Sequence, residues 1–430
     1  MRIGIIGHFG GNEKFNDGQT VKTIAIYDAL KRYGLEDVDR IDTYYIKKNP
    51  FIFVSQFLNG GLRDKKYIVL LSSNGRKVLF PVLSFMSRYM NKDVYHYGIG
   101  GRLAREVEEK PKWKKYVSSF KGNWMESIEL ADQLQKLGVK NAIYLPNFKK
   151  LRLMKETELR KEYDEPYKFC TFSRVMKEKG IEDAIDAVRE INDEYQREVV
   201  SLDIYGPAEE AYMVHLNELL SQNAACRYCG VIPANESVEA LKDYYALLFP
   251  THWKHEGIPG TIIDALSAGV PVIARRWQYC DEMLKDGYTG LIYDFEQPEQ
   301  LKTKIIYAIN HKSDMVGMKK NCLTWCCKCL QYRRHTAKHT IFIVNSFLWN
   351  ICYTISSFLP LYNRFTISIL DIKIAENRMC QTILYCLNNA RCCCIIHICN
   401  PHRNLRKTFF NFGVVKRNLA DCNCSCSFAV

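Results

Sequence analysis

Two acids eight positions apart, Glu256 and Asp264, are the residues of this chain whose type and spacing most directly suggest chemistry. They lie in the stretch FPTHWKHEGIPGTIIDALSAGVPVIAR, from Phe249 to Arg275. An apolar run ends at Phe249, a polar loop follows Pro250, and a helix is predicted to begin near Gly260 and to stop at Gly269. Glu256 precedes that helix and Asp264 lies within it. Between them, Gly257, Ile258, Pro259, Gly260 and Thr261 present backbone amides at the helix start. Unpaired N–H donors and a partial positive charge make such a start suited to a phosphate. Carboxylates on either side of a phosphate can hold hydroxyls, and a phosphate flanked by polyols is a sugar nucleotide. Taken alone, Glu256 also fits the plainer role of complementing the helix dipole.

A second loop supplies counter-charge. The segment FCTFSRVMKEKG ends a strand and opens a helix, with Arg174 and Lys179 five positions apart. An arginine fork and a lysine point charge suit two phosphates. Lys177, in the same loop, equally reads as a solvated lysine. His96, at the end of a strand that runs into Gly98-Ile99-Gly100-Gly101, is a candidate to bind or relay a proton at a sugar hydroxyl, although a lone histidine there often serves only structure.

The elements that would position these residues follow a strand–loop–helix rhythm. Arg2–Ile6 reads as a buried strand, residues 7–18 as a glycine-rich loop and Gln19–Tyr33 as a helix stopped by Gly34, which is the opening of a doubly wound sheet. Further strands are expected at Ile41–Ile46, Tyr67–Leu71, Asp93–Tyr97 and Ala142–Leu145, with a helix at Met125–Leu137. The predicted fold class is α/β, with two Rossmann-like doubly wound domains: residues 1–148, a charged linker at 149–165, and residues 166–321. Residues 322–430 form an anomalous tail. The Arg- and Lys-rich segment Arg102–Lys121, with Trp113, Tyr116, Val117 and Phe120 interleaved, reads either as a solvated helix packed on its own sheet or as a membrane-surface contact in which the aromatics dip into the interface.

Composition sets bounds. The formal charge of +13 is uneven: residues 1–321 carry 47 Lys and Arg against 44 Asp and Glu, whereas residues 322–430 carry 13 against 3. Basicity belongs to the tail, so no nucleic-acid partner is inferred. The N-terminus reads as a strand and glycine turn rather than a signal peptide, and the cysteine-poor body suits a reducing cytosol. Gly4, Gly7 and Gly10 do not form the GxGxxG of a dinucleotide site, which argues against a nicotinamide oxidoreductase. Asp37-Val38-Asp39 has the DxD form of metal-dependent sugar transferases but reads as solvated connector charge. Cys226 and Cys229 form a lone CxxC without further ligands nearby, so no metal site is assigned and no cofactor is expected.

With these residues in place, the chain resembles the GT-B glycosyltransferases of family 4, nearest to members of bacterial capsule and exopolysaccharide assembly. The resemblance spans about Met1–Asn321 and rests on GQT (Gly18–Thr20), YHYGIGG (Tyr95–Gly101), LPNF (Leu145–Phe148), SRVMKEKG (Ser173–Gly180) and FPTHWKHEGIPGTIIDALSAGVPVIA. The second glutamate of the family's pair is here the shorter Asp264. The resemblance implies two domains facing across a cleft, with the acceptor on the first and the nucleotide-sugar on the second. It implies Arg174 and Lys179 on the diphosphate, Asp264 on the ribose, Glu256 beside the donor hexose, and amides of 257–261 on sugar or phosphate. Gly18 and Gln19 would close on the phosphates, and Gly230-Val231 would lie near the base. It further implies a retaining, metal-independent hexosyl transfer to a glycan or lipid-linked glycan, by a protein in the cytoplasm or peripheral at the inner face of the plasma membrane. A GT-B sugar-nucleotide epimerase and a catalytically impaired relative acting as a binding protein are the competing readings.

The tail has 14 of the 18 cysteines and only three acids. Three readings compete: translation out of frame after a shift near Leu323–Cys327, a membrane span at Thr340–Asn363, and a cysteine-rich metal or disulfide module. The first fits the abrupt change in composition best.

Overall fold

The computed structural model describes residues 2–327, apart from 14, 16, 33, 61, 62 and 148–151. The first lobe is a six-stranded parallel sheet, β1 (Ile3–Gly7), β2 (Val38–Asp42), β3 (Lys66–Val69), β4 (Asp93–Gly98), β5 (Gly122–Met125) and β6 (Ala142–Tyr144), in the order β2-β1-β3-β4-β5-β6. Its helices are α1 (Gly18–Arg32), α2 (Tyr45–Lys48), α3 (Pro50–Asn59), α4 (Ser73–Tyr89), α5 (Leu103–Glu109), α6 (Pro111–Ser119) and α7 (Ile128–Lys136). The second lobe repeats the plan with β7 (Tyr167–Phe172), β8 (Val200–Tyr205), β9 (Cys226–Gly230), β10 (Ala246–Phe249), β11 (Val272–Arg275) and β12 (Gly290–Tyr293), ordered β12-β11-β10-β7-β8-β9. Its helices are α8 (Ile181–Tyr195), α9 (Glu210–Ser221), α10 (Ser237–Leu241), α11 (Gly260–Ser267), α12 (Cys280–Met283) and α13 (Gln300–Asn310), followed by a helical segment at 312–327. The two-domain α/β architecture expected from the strand–loop–helix rhythm is present.

Strands such as β1, β3, β10, β11 and β12 are buried along their whole length because helices cover both faces of each sheet. In each sheet the winding reverses beside the first strand of the lobe, at β1/β3 and at β7/β10. Loops leaving the strand ends at such a reversal diverge and leave a crevice, where open α/β sheets bind ligands.

Several expectations are corrected. The second strand is Val38–Asp42 rather than Ile41–Ile46. The Asp42 carboxylate accepts from the backbone N–H of Phe9 and Gly11 at 2.8 Å and of Tyr44 at 2.9 Å, so the chain turns there and enters α2. The Asp37–Asp39 triplet is therefore not a free connector: Val38 and Asp39 are in β2, and Asp39 pairs with Arg2 at 3.2 Å. The expected helix at Met125–Leu137 is strand β5 followed by α7, whose first turn is capped by Ser127.

In Arg102–Lys121, Pro111 opens a new helix, α6, and the chain turns Trp113, Val117 and Phe120 into the core around Phe80. Those aromatics are not available to dip into a membrane. Among the described residues no helix is long and apolar enough to cross one.

The second lobe also runs past the expected boundary at 321. Cys322, Leu323 and Cys326 are buried on the helix at 312–327, and Trp325 Nε1 donates to the Met283 carbonyl at 2.9 Å. Cysteine acts here as a small apolar residue completing the inward stripe. Lys319 on the same helix is buried and donates to the carbonyls of Tyr244 (3.2 Å) and Gly269 (3.4 Å). Of residues 322–430, to which the three readings of the tail apply, 328–430, including the span at 340–363, lie outside the described residues.

Candidate active site

The two lobes enclose a cleft of about 990 Å³ at the strand ends. From the second lobe it is lined by Arg174, Lys179, Glu256, Asp264 and the segment Gly257–Thr261; from the first, by Asp17, Gly18 and Gln19. Thirteen of the fourteen residues singled out in the sequence are assigned to this region or its rim, and twelve line the cavity directly: of the pair at the base end, Val231 lines it, and Gly230, at the end of β9, is its chain neighbour.

Local geometry explains the convergence. Arg174 and Lys179 leave the end of β7 in a loop closed by a 3-10 turn at Lys177–Lys179 and by Gly180, which has φ +69°. A Cβ at Gly180 would stand 2.0 Å from the Pro250 carbonyl oxygen, so only glycine lets this loop lie against the one leaving β10. That approach delivers Lys179 to Glu256, Nζ to Oε2 at 2.5 Å, with both side chains part-buried at the cleft wall. The Arg174 guanidinium forms no hydrogen bond or ion pair among the described residues and faces the same cavity. Asp264 is buried on the first turns of α11, whose Pro259 N-cap leaves the helix amides without a side-chain cap. The Thr261 hydroxyl, also buried, has no hydrogen-bond partner among the described residues. Cations, uncapped amides and two carboxylates thus meet at one end of the cleft, an arrangement that can bind a phosphate anion with hydroxyls beside it.

On the opposing wall, Asp17 caps α1: its Oδ1 accepts from the N–H of Gln19 (2.9 Å) and Thr20 (3.2 Å). The Gln19 side chain is tied to the Leu70 carbonyl at 3.0 Å, leaving the backbone at Gly18-Gln19 facing the cleft. Sequence reasoning missed three neighbours on this wall, Lys22, Glu126 and Asn147. Lys22 pairs with Glu126 at 3.2 Å and also bonds the Asn147 side-chain oxygen; Glu126 accepts from the Tyr97 hydroxyl at 3.0 Å. Asn147 in turn donates to the Ile258 carbonyl at 3.0 Å, joining the first lobe to the loop before α11. Asn147 lay within the quoted LPNF; Lys22 and Glu126 carried no signal beyond their charge.

The lobes touch elsewhere in ways that fix the cleft. A Cβ on Gly257 would come within 2.9 Å of the Gly100 Cα, and one on Gly101 within 2.5 Å of the Tyr279 ring. The glycines after β4 therefore permit backbone approach between lobes. Tyr279 donates to the Gly101 carbonyl at 3.1 Å. Glu282 of the second lobe accepts from Ser127 Oγ (2.7 Å) and from the N–H of Ile128 (3.0 Å) and Glu129 (2.9 Å), so it caps α7 of the first.

His96 is the residue the structure does not bring to the cleft. Its side chain points into the first-lobe core, edge-on to Phe80 with ring centres 4.9 Å apart, and its Nδ1 is 3.3 Å from Asn123 Oδ1. Burial, with Arg76 nearby, pushes its pKa from 6.5 down to about 3. It stays neutral, and it cannot reach a bound sugar. The sign of its effect follows. With a folded pKa below the unfolded one, its contribution to stability is complete above pH 6.5 and is lost as the pH falls towards 3, because only the unfolded chain takes up the proton. In that window the group should cost about 1.4 kcal/mol per pH unit. Chemical denaturation across this range should show a shallower loss for His96→Leu than for the parent chain.

Residues 154–324 match the family model of the glycosyl transferases group 1. An uncharacterised glycosyltransferase of Methanocaldococcus jannaschii is 22% identical over 162 residues, which are 37% of this chain and 40% of that protein, so the match spans less than half of the relative. Sucrose-phosphate synthase from Thermosynechococcus elongatus superposes with a TM-score of 0.59 at 12% identity, over 80% of this chain and 100% of that one. Anabaena HepE, in complex with UDP and glucose, gives a TM-score of 0.58 at 12% identity, over 79% of this chain and 99% of that one. The chain has the GT-B fold, and the match to the glycosyl transferases group 1 lies almost wholly in its second lobe.

Proposed function

We propose that this chain is a retaining glycosyltransferase that moves a hexose from a UDP-sugar to a glycan or lipid-linked glycan acceptor in cell-surface polysaccharide synthesis. The observation that carries the reading is the meeting of Arg174, the Lys179–Glu256 pair and the uncapped start of α11 in one interlobe cleft. HepE, with the same fold, was solved with UDP and glucose.

In this reading Arg174 and Lys179 take the diphosphate, and the amides of 257–261 take its remaining oxygens. The bond from the anomeric carbon to the phosphate oxygen breaks, and the negative charge that develops on the departing diphosphate is held by these fixed donors without a metal. Asp264 holds the ribose. Glu256, released from Lys179 as the phosphate draws that cation, accepts a hydroxyl of the donor hexose. The acceptor hydroxyl approaches from the first lobe, on the face the diphosphate leaves, and passes its proton to the departing phosphate oxygen as the new glycosidic bond forms. Closure between Gly100 and Gly257 excludes water, which limits hydrolysis of the donor.

The test is product analysis of the purified chain with a panel of UDP-hexoses, with and without membrane-extracted acceptors. Transfer of label to the acceptor with retained configuration is the expected outcome. A new sugar nucleotide formed without acceptor would instead establish an epimerase, and binding without turnover an impaired relative.

A further inference from the structure

The apolar residues that this fold leaves uncovered are concentrated on one part of the first lobe, away from the residues lining the cleft. Helix α3 has no fully buried residue; Phe51 is 87% exposed, and Val54 and Leu58 are about half exposed. Their spacing of three and four is one stripe of a helix, and Phe53 and Phe57 on the opposite side pack on the core. Helix α4 repeats the pattern. Leu79, Phe80, Leu83 and Met86 face inward, while Val78, Val82, Phe85 and Tyr89 form a second exposed stripe, Tyr89 at 74%.

The connections β2-α3-β3 and β3-α4-β4 both step the same way across the sheet. Right-handed crossovers then place α3 and α4 side by side on one face. Two outward apolar stripes on neighbouring helices exceed what a soluble monomer usually exposes in one place.

Charge identifies the partner. Residues 44–92 contain nine Lys and Arg and one acid, Asp64, which is buried. Lys47, Lys48, Lys77 and Arg88 are exposed beside the two stripes. Arg88 also donates to the Lys115 carbonyl at 2.7 Å, which brings the exposed Lys112, Lys114 and Lys115 of α6 to the end of α4. Large aromatics among aliphatics, rimmed by cations of one sign, match the headgroup layer of a bilayer bearing anionic lipid.

We propose that the outer face of α3 and α4 docks this protein on an anionic membrane surface. The membrane contact read from the sequence at Arg102–Lys121 is thereby moved: α6 contributes its lysines, and the inserted side chains are Phe51, Phe85 and Tyr89. The proposal stands whatever sugar the cleft transfers.

The test is co-sedimentation of the full chain with vesicles of equal parts phosphatidylglycerol and phosphatidylcholine, against vesicles of phosphatidylcholine alone. Binding to the anionic vesicles, weakened by salt, is expected. Phe51→Ser with Phe85→Ser and Tyr89→Ser should lower the partition about tenfold or more, with the thermal midpoint and donor binding unchanged because none of the three is buried or lines the cleft. Lys47→Gln with Lys48→Gln and Lys112→Gln should weaken binding to anionic vesicles alone. Equal sedimentation of parent and aromatic variant would overturn the proposal. So would failure of the parent chain to bind anionic vesicles, and so would a dimer in light scattering that the aromatic variant dissociates, since the face would then join two copies.

Discussion

Replacing Arg174 and Lys179 together with alanine should weaken UDP-sugar binding by a hundredfold or more while leaving the thermal midpoint within about a degree or two. Each cation supplies charge-assisted hydrogen bonds to phosphate, worth about 1.5–3 kcal/mol apiece, and about 1.4 kcal/mol is a factor of ten in affinity. The fold does not depend on them: Arg174 is exposed and makes no side-chain bond among the described residues, and Lys179 bonds only Glu256 at the cleft surface. The two single substitutions should differ. Arg174→Ala removes donors that are waiting for a ligand, so its loss belongs in the dissociation constant. Lys179→Ala also leaves Glu256 without its partner and lets that carboxylate reorient, so turnover should fall as well as affinity. Titration calorimetry with UDP measures the first effect, and saturating-donor kinetics the second. An unchanged UDP affinity in the double variant would sink the assignment of a diphosphate to this end of the cleft.

The same residues show what the sequence could and could not convey. The donor side was legible because its parts lie in two short loops, where glycines, cations and acids stand a few positions apart and each loop follows an apolar strand. Parallel strands covered on both faces read as continuous apolar runs, which made β1, β3, β7 and β10 plain. Strand β5, Gly-Asn-Trp-Met, carries no such run. Its buried Asn123 instead uses its side chain to bond the Val117 carbonyl at 2.8 Å and faces His96, a long-range pairing with no local signature. His96 misled for a related reason. Alternation puts successive strand residues on opposite faces, and only the packing of α4 and α6 decides that this one faces the core.

The opposing wall of the cleft was hidden because Lys22, Glu126 and Asn147 come from three segments that meet only in the folded lobe. The membrane reading failed at α6 and reappears on α3 and α4 because helical periodicity is blind to cover. Trp113, Val117 and Phe120 have the same spacing as Val78, Val82, Phe85 and Tyr89, yet the first set lies beneath α4 and the second lies outside it. The pattern gives a face, and the topology decides whether anything rests on it.

Gly180 joins the fold to the site most tightly, and Gly180→Ala should therefore damage both. Its φ of +69° lies in the left-handed region, where a side chain costs about 1 kcal/mol relative to glycine. The larger cost is steric. The new Cβ would sit 2.0 Å from the Pro250 carbonyl oxygen and 2.8 Å from its carbon, both backbone atoms that cannot swing aside. Either the loop from β7 or the loop from β10 has to retreat. The first carries Lys179 and the second leads to Glu256, so their 2.5 Å contact cannot survive the retreat unchanged. The backbone N–H of His252 also donates to the Glu178 carbonyl at 2.9 Å across the same junction, and that bond would be stretched. The expected result is a loss of about 2–4 kcal/mol in stability, read by denaturant unfolding, accompanied by at least a tenfold loss in UDP affinity at temperatures where the variant remains folded. A purely structural role would move only the first of these. Gly260→Ala provides the contrast: its Cβ meets nothing within 4 Å and its φ is not positive, so stability should hold, and any change in UDP affinity would come from the methyl group it adds at the mouth of the amide site.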